Sequence, residues 1–185
     1  YTVSKLKAGT SYKFYVKPYV KSNSKTVYGT QSNVLTTSTN PAKVSFKLTS
    51  DTKSATIKWS KVTGATGYKV YYKTSSKGKW KLLKTASNKT VSCKKSGLTP
   101  GKTYWFTVKA YRNANGKTYS GTYATKSVKI KEIKAKSVKL NKSKISIQRG
   151  NSYRLKATIN PKNTTDKITW TSSNKKVATV SSKGV

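Results

Sequence analysis

Side chains that could carry out acid–base, nucleophilic or metal chemistry are scarce in this sequence. The 185 residues contain three carboxylates, Asp51, Glu132 and Asp166, one cysteine, Cys93, and no histidine. Glycoside hydrolysis needs two carboxylates across one bond, a zinc site needs Cys or His ligands, and a calcium loop needs several acidic oxygens. Since the three carboxylates lie far apart in the chain, we predict no catalytic, cofactor-binding or metal-binding residue and no enzyme activity in this segment. A catalytic domain elsewhere in a longer protein is compatible with this prediction.

The single cysteine is predicted to be structural. Cys93 alternates with Val91, a spacing that places both on the inner side of a strand, where a thiol behaves as a small apolar residue. No His, Asp or Glu stands near it in the sequence to make it reactive. One cysteine also excludes an internal disulfide.

Positive charge dominates the composition. There are 40 basic residues, of which only Arg112, Arg149 and Arg154 are arginines, and the formal net charge is +37. Lysine is a hydrated point charge, whereas arginine binds phosphates and guanine edges through two parallel hydrogen bonds. We therefore expect unspecific attraction of polyanions and no specific nucleic-acid binding. The alternative interpretation is a solvated, self-repelling surface. No apolar run approaches the roughly 18 residues that a membrane span needs, so we predict no membrane insertion in this segment.

The stretch from Leu98 to Tyr104 occurs twice. It reads Leu-Thr-Pro-Gly-Lys-Thr-Tyr, a turn that leads directly into a strand pattern, and the stretch from Leu6 to Tyr12 repeats it 92 residues earlier. Without a gap, 12 of 25 residues are identical between positions 6–30 and 98–122. A repeat of this length has the size of a domain. The chain is therefore expected to be a segment of a longer protein built from such modules.

Residues 41–131 contain seven short segments in which apolar and polar residues alternate. Period 2 is typical of half-buried strands, and turn residues separate the segments. Seven such strands predict an all-β fold with two antiparallel sheets packed as a sandwich. The inward positions are predicted to be Val44, Phe46, Leu48; Ala55, Ile57, Trp59; Tyr68, Val70, Tyr72; positions within 80–83; Val91, Cys93; Tyr104, Phe106, Val108, Ala110; and positions within 119–130.

These residues resemble a fibronectin type III module of the kind repeated in extracellular proteins of Gram-positive bacteria. The resemblance covers residues 41–131, and residues 1–39 resemble the last third of the same module, with Ala8 where the motif has proline. It implies that the Tyr104 hydroxyl binds backbone near the preceding leucine, which is a packing role. The residues that carry the resemblance are Trp59, the run Gly67–Tyr72, the run Leu98–Tyr104 and the run Val108–Tyr111.

A third pattern begins after residue 134 and resembles the bacterial immunoglobulin-like group 2 domain, another sandwich. Its elements are Val138–Asn141, Ile145 and Ile147 before Gly150, Leu155–Pro161, Ile168–Asn174 and Val177–Val180. Together these resemblances predict tandem antiparallel β-sandwiches. Residues 1–39 are expected to be the C-terminal part of a fibronectin type III module, residues 40–131 a complete module, and residues 132–185 the N-terminal part of an immunoglobulin-like group 2 domain.

One surface carries a candidate ligand-binding face. If Tyr68 and the Tyr104 series point inward, the residues between them point outward, and the resemblance implies that the two strands are neighbours. Aromatic rings interleaved with lysine suit stacking on sugars and attraction of anionic groups. The alternative is that these side chains stabilise the sheet through cross-strand pairs. The candidate residues are Lys69, Tyr71, Lys73, Trp105, Lys109 and Tyr111, and Lys13, Tyr15, Lys17 and Tyr19 repeat the arrangement in the first copy.

The resemblance implies a function outside the cell. We expect a non-catalytic stalk or spacer of a large secreted or cell-surface protein, whose partners include the neighbouring modules of the same chain. The alternative is a binding module that holds anionic cell-wall polymers or acidic glycans on the Lys/aromatic surface. Non-specific nucleic-acid binding is a third and less favoured interpretation.

Overall fold

The computed structural model describes all 185 residues, and the chain is all β. The fold consists of antiparallel strands without a helix, as predicted. In chain order the strands are β1 (Ser11–Phe14), β2 (Tyr19–Ser22), β3 (Lys25–Tyr28), β4 (Leu35–Ser38), β5 (Phe46–Ser50), β6 (Ser54–Trp59), β7 (Gly67–Lys73), β8 (Lys81–Ser87), β9 (Ser92–Ser96), β10 (Thr103–Ala114), β11 (Lys117–Ser120), β12 (Lys126–Lys129), β13 (Ser137–Leu140) and β14 (Ala157–Asn160).

The central part of the chain is a two-sheet sandwich. One sheet has the order β5-β6-β9, and the other has the order β11-β10-β7-β8 with β12 also paired to β10. The single hydrophobic core lies between them and includes Ile57, Tyr68, Phe106 and Val108, each fully buried. The alternation of apolar residues dictates this arrangement, because every second side chain of a strand points to the same face.

Two predicted details of this core differ in the structure. The last predicted strand is divided into β11 and β12, and the chain bends at Gly121, where an added Cβ would lie 2.5 Å from the Pro41 carbonyl oxygen. Cys93 does pack against the core, and burial raises the pKa of its thiol, an effect that Lys84 partly opposes. Val91, which was predicted to point inward with it, is exposed.

The repeated turn has the same geometry in both copies. The Tyr104 hydroxyl accepts a hydrogen bond from the Thr99 N–H at 3.2 Å, and the Tyr12 hydroxyl accepts one from the Lys7 N–H at 2.8 Å. The N–H that points at the Tyr104 oxygen stabilises its ionised form and lowers the pKa of this tyrosine. The sequence expectation of a tyrosine tied back to the backbone is confirmed, and the motif is a folding device.

Residues 1–39 form two separate strand pairs, β1 with β4 and β2 with β3. The expected single strand up to Val20 is wrong, because it is interrupted before Pro18, whose ring nitrogen has no hydrogen to donate. Ala110 occupies the equivalent position in the second copy, and β10 runs unbroken there. The apolar side chains of this segment are largely uncovered: Val16 is 72% exposed, whereas its counterpart Val108 is 0% exposed.

Residues 132–185 contain one antiparallel pair, β13 with β14. Ser137 pairs with Asn160 and Leu140 pairs with Ala157. The remainder of this part is irregular, and Ile145, Ile147 and Val177 are exposed.

Candidate ligand-binding face

The two longest neighbouring strands of the sandwich bring the candidate residues together. In the register of β7 and β10, Trp105 lies opposite Lys73 and Lys109 lies opposite Lys69. Tyr68, Val70, Phe106 and Val108 point to the core and are fully buried. The six candidate residues therefore lie on the outer side of the sheet, and we call Lys69, Tyr71, Lys73, Trp105, Lys109 and Tyr111 the Lys–aromatic face.

The ammonium groups of this face lie over aromatic rings. Lys69 Nζ is 5.8 Å from the centre of the Tyr111 ring, and Lys109 Nζ is 5.5 Å from the centre of the Tyr71 ring. Such contacts are stabilised by the negative face of the ring. The interleaving that the sequence indicated thus corresponds to cation–π pairs between adjacent strands.

Two further aromatic residues belong to this surface. Tyr123 approaches Lys109 most closely, with its ring centre 3.9 Å from the Nζ, and Trp80 lies 4.8 Å from the Nζ of Lys73. Neither residue lies within a strand. Both residues fall in stretches where the sequence predicts strands, 80–83 and 119–130, but the structure places them in loops beside the face.

The centre of the face is closed to solvent. Thr107 stands between Trp105 and Lys109 on the outward side of β10, opposite Tyr71, yet it is 0% exposed. Its hydroxyl is buried and has no hydrogen-bond partner. Side chains of the face therefore cover the sheet at this position.

The electrostatic character of the face is uniformly positive. Lys69 and Lys109 are direct cross-strand partners, and like charges in this position repel each other. Neither lysine is in an ion pair, since the salt bridges of the chain join Lys129 and Lys134 to Glu132 and Lys134 to Asp166. An anion bound between the two ammonium groups would relieve this repulsion.

The first copy reproduces the arrangement only in part. Lys17 Nζ lies 5.7 Å from the centre of the Tyr15 ring, a lysine–aromatic contact of the same kind. Tyr15 and Lys17 lie between β1 and β2, however, and Tyr19 packs against Tyr28 of β3 with the ring centres 6.1 Å apart and the rings tilted by 53°. Because the strand is interrupted, this segment provides no continuous face.

No three His, Cys, Asp or Glu side chains come close enough together to bind a metal ion. The structure also has no helix with the length and apolar character that crossing a membrane requires.

Two family models match the chain. The model of the fibronectin type III domain matches residues 39–126, which include both sheets up to the start of β12. These residues form a fibronectin type III domain. The model of the bacterial Ig-like domain (group 2) matches residues 134–185, so the resemblance seen in the sequence is confirmed for both parts. Domains of these two families are typical of extracellular modular proteins and are generally non-catalytic.

Solved structures resemble the fibronectin type III part of the chain. A crystal structure of FN3tt has 22% identity and a TM-score of 0.42, and the match covers 50% of this chain and 97% of that one. The fn3 domain of human collagen alpha-1(XX) chain has 18% identity and a TM-score of 0.42, covering 50% and 85% respectively. A beta-1,2-glucanase from Parabacteroides distasonis has 14% identity and a TM-score of 0.42, covering 51% and 13%. No curated protein matches the chain significantly.

Proposed function

We propose that this chain is a non-catalytic spacer in a large multi-module protein that is secreted or held at a bacterial cell surface. The observation that carries the proposal is the short connection between its fibronectin type III and Ig-like domains, whose backbone groups are hydrogen-bonded to the domain on each side. Only residues 130–136 separate β12 from β13. A spacer has to keep a constant distance between the domains at its ends, and a connection of this kind resists bending.

The backbone of the connection is held at both ends. On the fibronectin type III side, the Ile130 N–H donates to the Lys102 carbonyl oxygen at 2.9 Å. The Ile133 N–H donates to the Thr165 hydroxyl at 3.1 Å, and the Ala135 N–H donates to the Asp166 carboxylate at 2.7 Å. Lys134 lies 3.6 Å from both Glu132 and Asp166. Two of the three carboxylates of the chain therefore lie at this connection. A flexible linker would leave these backbone groups to water.

The test is the distance distribution across the connection. The substitutions Lys77→Cys and Lys162→Cys, in a Cys93→Ala background, provide attachment points for a donor and an acceptor dye. Energy transfer between the dyes in the otherwise unmodified chain should report one narrow distance. The control replaces residues 132–135 by Gly-Ser-Gly-Ser, which removes the hydrogen bonds and should broaden the distribution. A distribution in the unmodified chain as broad as in the control would contradict the spacer function.

A second function is favoured by the opposed Lys69 and Lys109. The Lys–aromatic face would bind anionic cell-wall polymers or acidic glycans, with the ammonium groups attracting the anion and Trp105 stacking on sugar rings. Long-range attraction by the large net charge would bring the polymer to the surface. Attraction by the net charge does not depend on where the lysines lie. The experiment therefore has to distinguish binding at the Lys–aromatic face from attraction by the net charge.

The chain offers a control with the same loss of charge. Lys69→Gln/Lys73→Gln/Lys109→Gln changes the face, and Lys47→Gln/Lys58→Gln/Lys94→Gln changes exposed lysines of the opposite sheet. Retention on purified cell walls, with and without teichoic acid and across NaCl concentrations, should fall at least fivefold more in the first variant. Joint replacement of Trp105, Lys109 and Tyr111 should abolish the retention on cell walls. Equal losses in the two triple variants would contradict a specific face and leave the spacer function alone.

A further inference from the structure

Arg112 connects residues 1–39 to the fibronectin type III domain. It is one of three arginines among the 40 basic residues, and it lies near the end of β10. Its Nε donates to the Ser38 hydroxyl at 2.9 Å, and its Nη2 donates to the Ser11 hydroxyl at 3.0 Å. Its Nη1 donates to the Gly64 carbonyl oxygen of its own domain at 2.8 Å. One guanidinium group therefore holds acceptors on both sides of the junction.

The two serines are not independent acceptors. Ser11 and Ser38 are direct cross-strand partners at the end of the β1–β4 ladder, so the guanidinium binds both strands of this pair at once. Ser38 is buried, and its hydroxyl also donates to the Thr10 carbonyl oxygen at 3.1 Å. This contact needs the rigid planar fork of arginine, because a lysine ammonium presents its donors from a single point. An arginine among so many lysines is thus explained by its geometry.

A close backbone contact lies beside the arginine. Gly9, at the corner of the first segment, approaches Gly64 of the domain, and a Cβ on Gly64 would overlap the Gly9 carbonyl oxygen. A Cβ on Gly9 would lie 2.5 Å from the Thr63 carbonyl oxygen. Both glycines also have positive φ, +65° and +71°, which other residues adopt at a cost. The junction therefore depends on glycine on both sides as well as on Arg112.

The two copies of the repeat contribute different residues to this contact. At the 92-residue offset of the repeat, Val20 takes the place of Arg112 in the first copy. The first copy therefore provides the serine pair and the glycine corner, and the complete domain provides the arginine. The complete domain in turn has Thr103 opposite Lys129 where the first copy has Ser11 opposite Ser38. Its own corner, at Gly101, lies against Glu132 instead.

We propose that Arg112 and the Gly9–Gly64 contact form a docking surface for the preceding module, which fixes its orientation on the fibronectin type III domain. The kind of partner that it accepts is a module with a glycine at the corner and a hydroxyl pair at the end of its last ladder, as residues 1–39 have. The proposal deepens the spacer function, on which its biological meaning rests, but it concerns a different junction. If the Arg112 junction were flexible, the dye-distance distribution across residues 132–135 would be unchanged, so the two proposals can fail separately.

The test measures the distance between spin labels on β1 and on the β7–β8 turn. Lys13→Cys and Lys77→Cys in a Cys93→Ala background should give a single narrow distance by pulsed electron resonance. Arg112→Lys should at least double the width of the distribution, and the matched control Arg149→Lys, at an exposed position away from the junction, should leave it unchanged. Equal widths in the unmodified chain and the Arg112→Lys variant would overturn the proposal.

A double-mutant cycle keeps the test valid if Arg112→Lys disturbs the first segment itself. Ser11→Ala should broaden the distance distribution less than Arg112→Lys does. Because the two groups bind each other, Arg112→Lys should increase the width less in the Ser11→Ala background than in the unmodified chain. Hydrogen exchange of the Thr39 amide, which donates to the Thr10 carbonyl oxygen within the first segment, reports whether that segment remains folded. Strictly additive effects of the two substitutions would contradict a direct contact that fixes the junction.

Discussion

At the scale of single residues, three members of the scarce residue types lie at the junctions between parts of the chain. Arg112 lies at the first junction, and Glu132 and Asp166 lie at the second. The ion pairs of Lys134 are exposed, and pairs of this kind contribute little to stability. The hydrogen bond from the Ala135 N–H to the Asp166 carboxylate is the stronger contact, because its acceptor is charged. The many lysines are spread over the surface and meet aromatic rings more often than carboxylates.

Thr107 gives a prediction at this scale. Its hydroxyl is buried without a partner, so Thr107→Val should raise the free energy of unfolding by about 1 kcal/mol, because the desolvated hydroxyl is removed and the shape is kept. Urea unfolding followed by tryptophan fluorescence measures the change. Thr56→Val, at a half-buried position in β6, is the control for the strand preference of valine. A gain no larger than in this control would show that the hydroxyl is satisfied in solution.

At the scale of structural elements, the repeated turn combines two tasks. Its tyrosine ties the turn to the backbone through Tyr12 in the first copy and Tyr104 in the second. Its glycine then provides the contact with the next part of the chain, Gly9 with Gly64 and Gly101 with Glu132. The absence of a side chain at the glycine permits both close approaches. The same element therefore closes one module and receives the following one.

The tyrosine leads to a prediction about pH. Tyr104→Phe should lower the free energy of unfolding by about 1 kcal/mol near pH 7, because the Thr99 N–H loses its acceptor. The pKa of Tyr104 is lowered in the folded state, so the folded protein binds this proton less tightly than the unfolded chain does. The stabilising effect of ionisation is thus absent at low pH and is gained as the pH rises toward the ordinary tyrosine pKa of about 10.

The difference in the free energy of unfolding between the original chain and the Tyr104→Phe variant should therefore be larger at pH 10 than at pH 8. Urea unfolding at both pH values measures this difference. Tyr28→Phe, at an exposed tyrosine, is the control. A difference that is constant with pH would contradict the lowered pKa.

At the scale of the whole molecule, repulsion between charges opposes folding. The net charge is +37, and only three salt-bridge contacts offset it. Repulsion of this size destabilises a compact state and is screened by salt, with a screening length of about 10 Å at 0.1 M. The same charge keeps copies of the protein apart. It is therefore compatible with the spacer function whether or not the Lys–aromatic face has a ligand.

Salt should consequently stabilise the protein. Between 10 mM and 500 mM NaCl the Tm of the fibronectin type III domain should rise by roughly 4–8 °C, which corresponds to about 1 kcal/mol for a domain of this size. Differential scanning calorimetry at constant pH measures the shift. The triple variant Lys47→Gln/Lys58→Gln/Lys94→Gln should show a smaller rise, since fewer charges repel. A Tm that is independent of NaCl would show that the lysines are too far apart to interact.

The amino-acid sequence alone determined the fold class and the inward and outward sides of β7 and β10. Alternation along β7 and β10 placed Tyr68 inside and Lys69 outside, because side chains of a strand point to opposite faces in turn. The 92-residue repeat also located both tyrosine turns. These features are local or periodic, so the chain itself contains them.

Only the tertiary structure decided which distant residues meet. Trp80 and Tyr123 reach the Lys–aromatic face from loops, Thr107 is covered although it points outward, and Arg112 meets Ser11 across the junction. The break before Pro18, where a continuous strand was expected, likewise became clear from the pairing of β1 with β4 and of β2 with β3. Loop positions and contacts between modules have no period, and they arise only when the sheets pack and bring separate parts of the chain within hydrogen-bond distance.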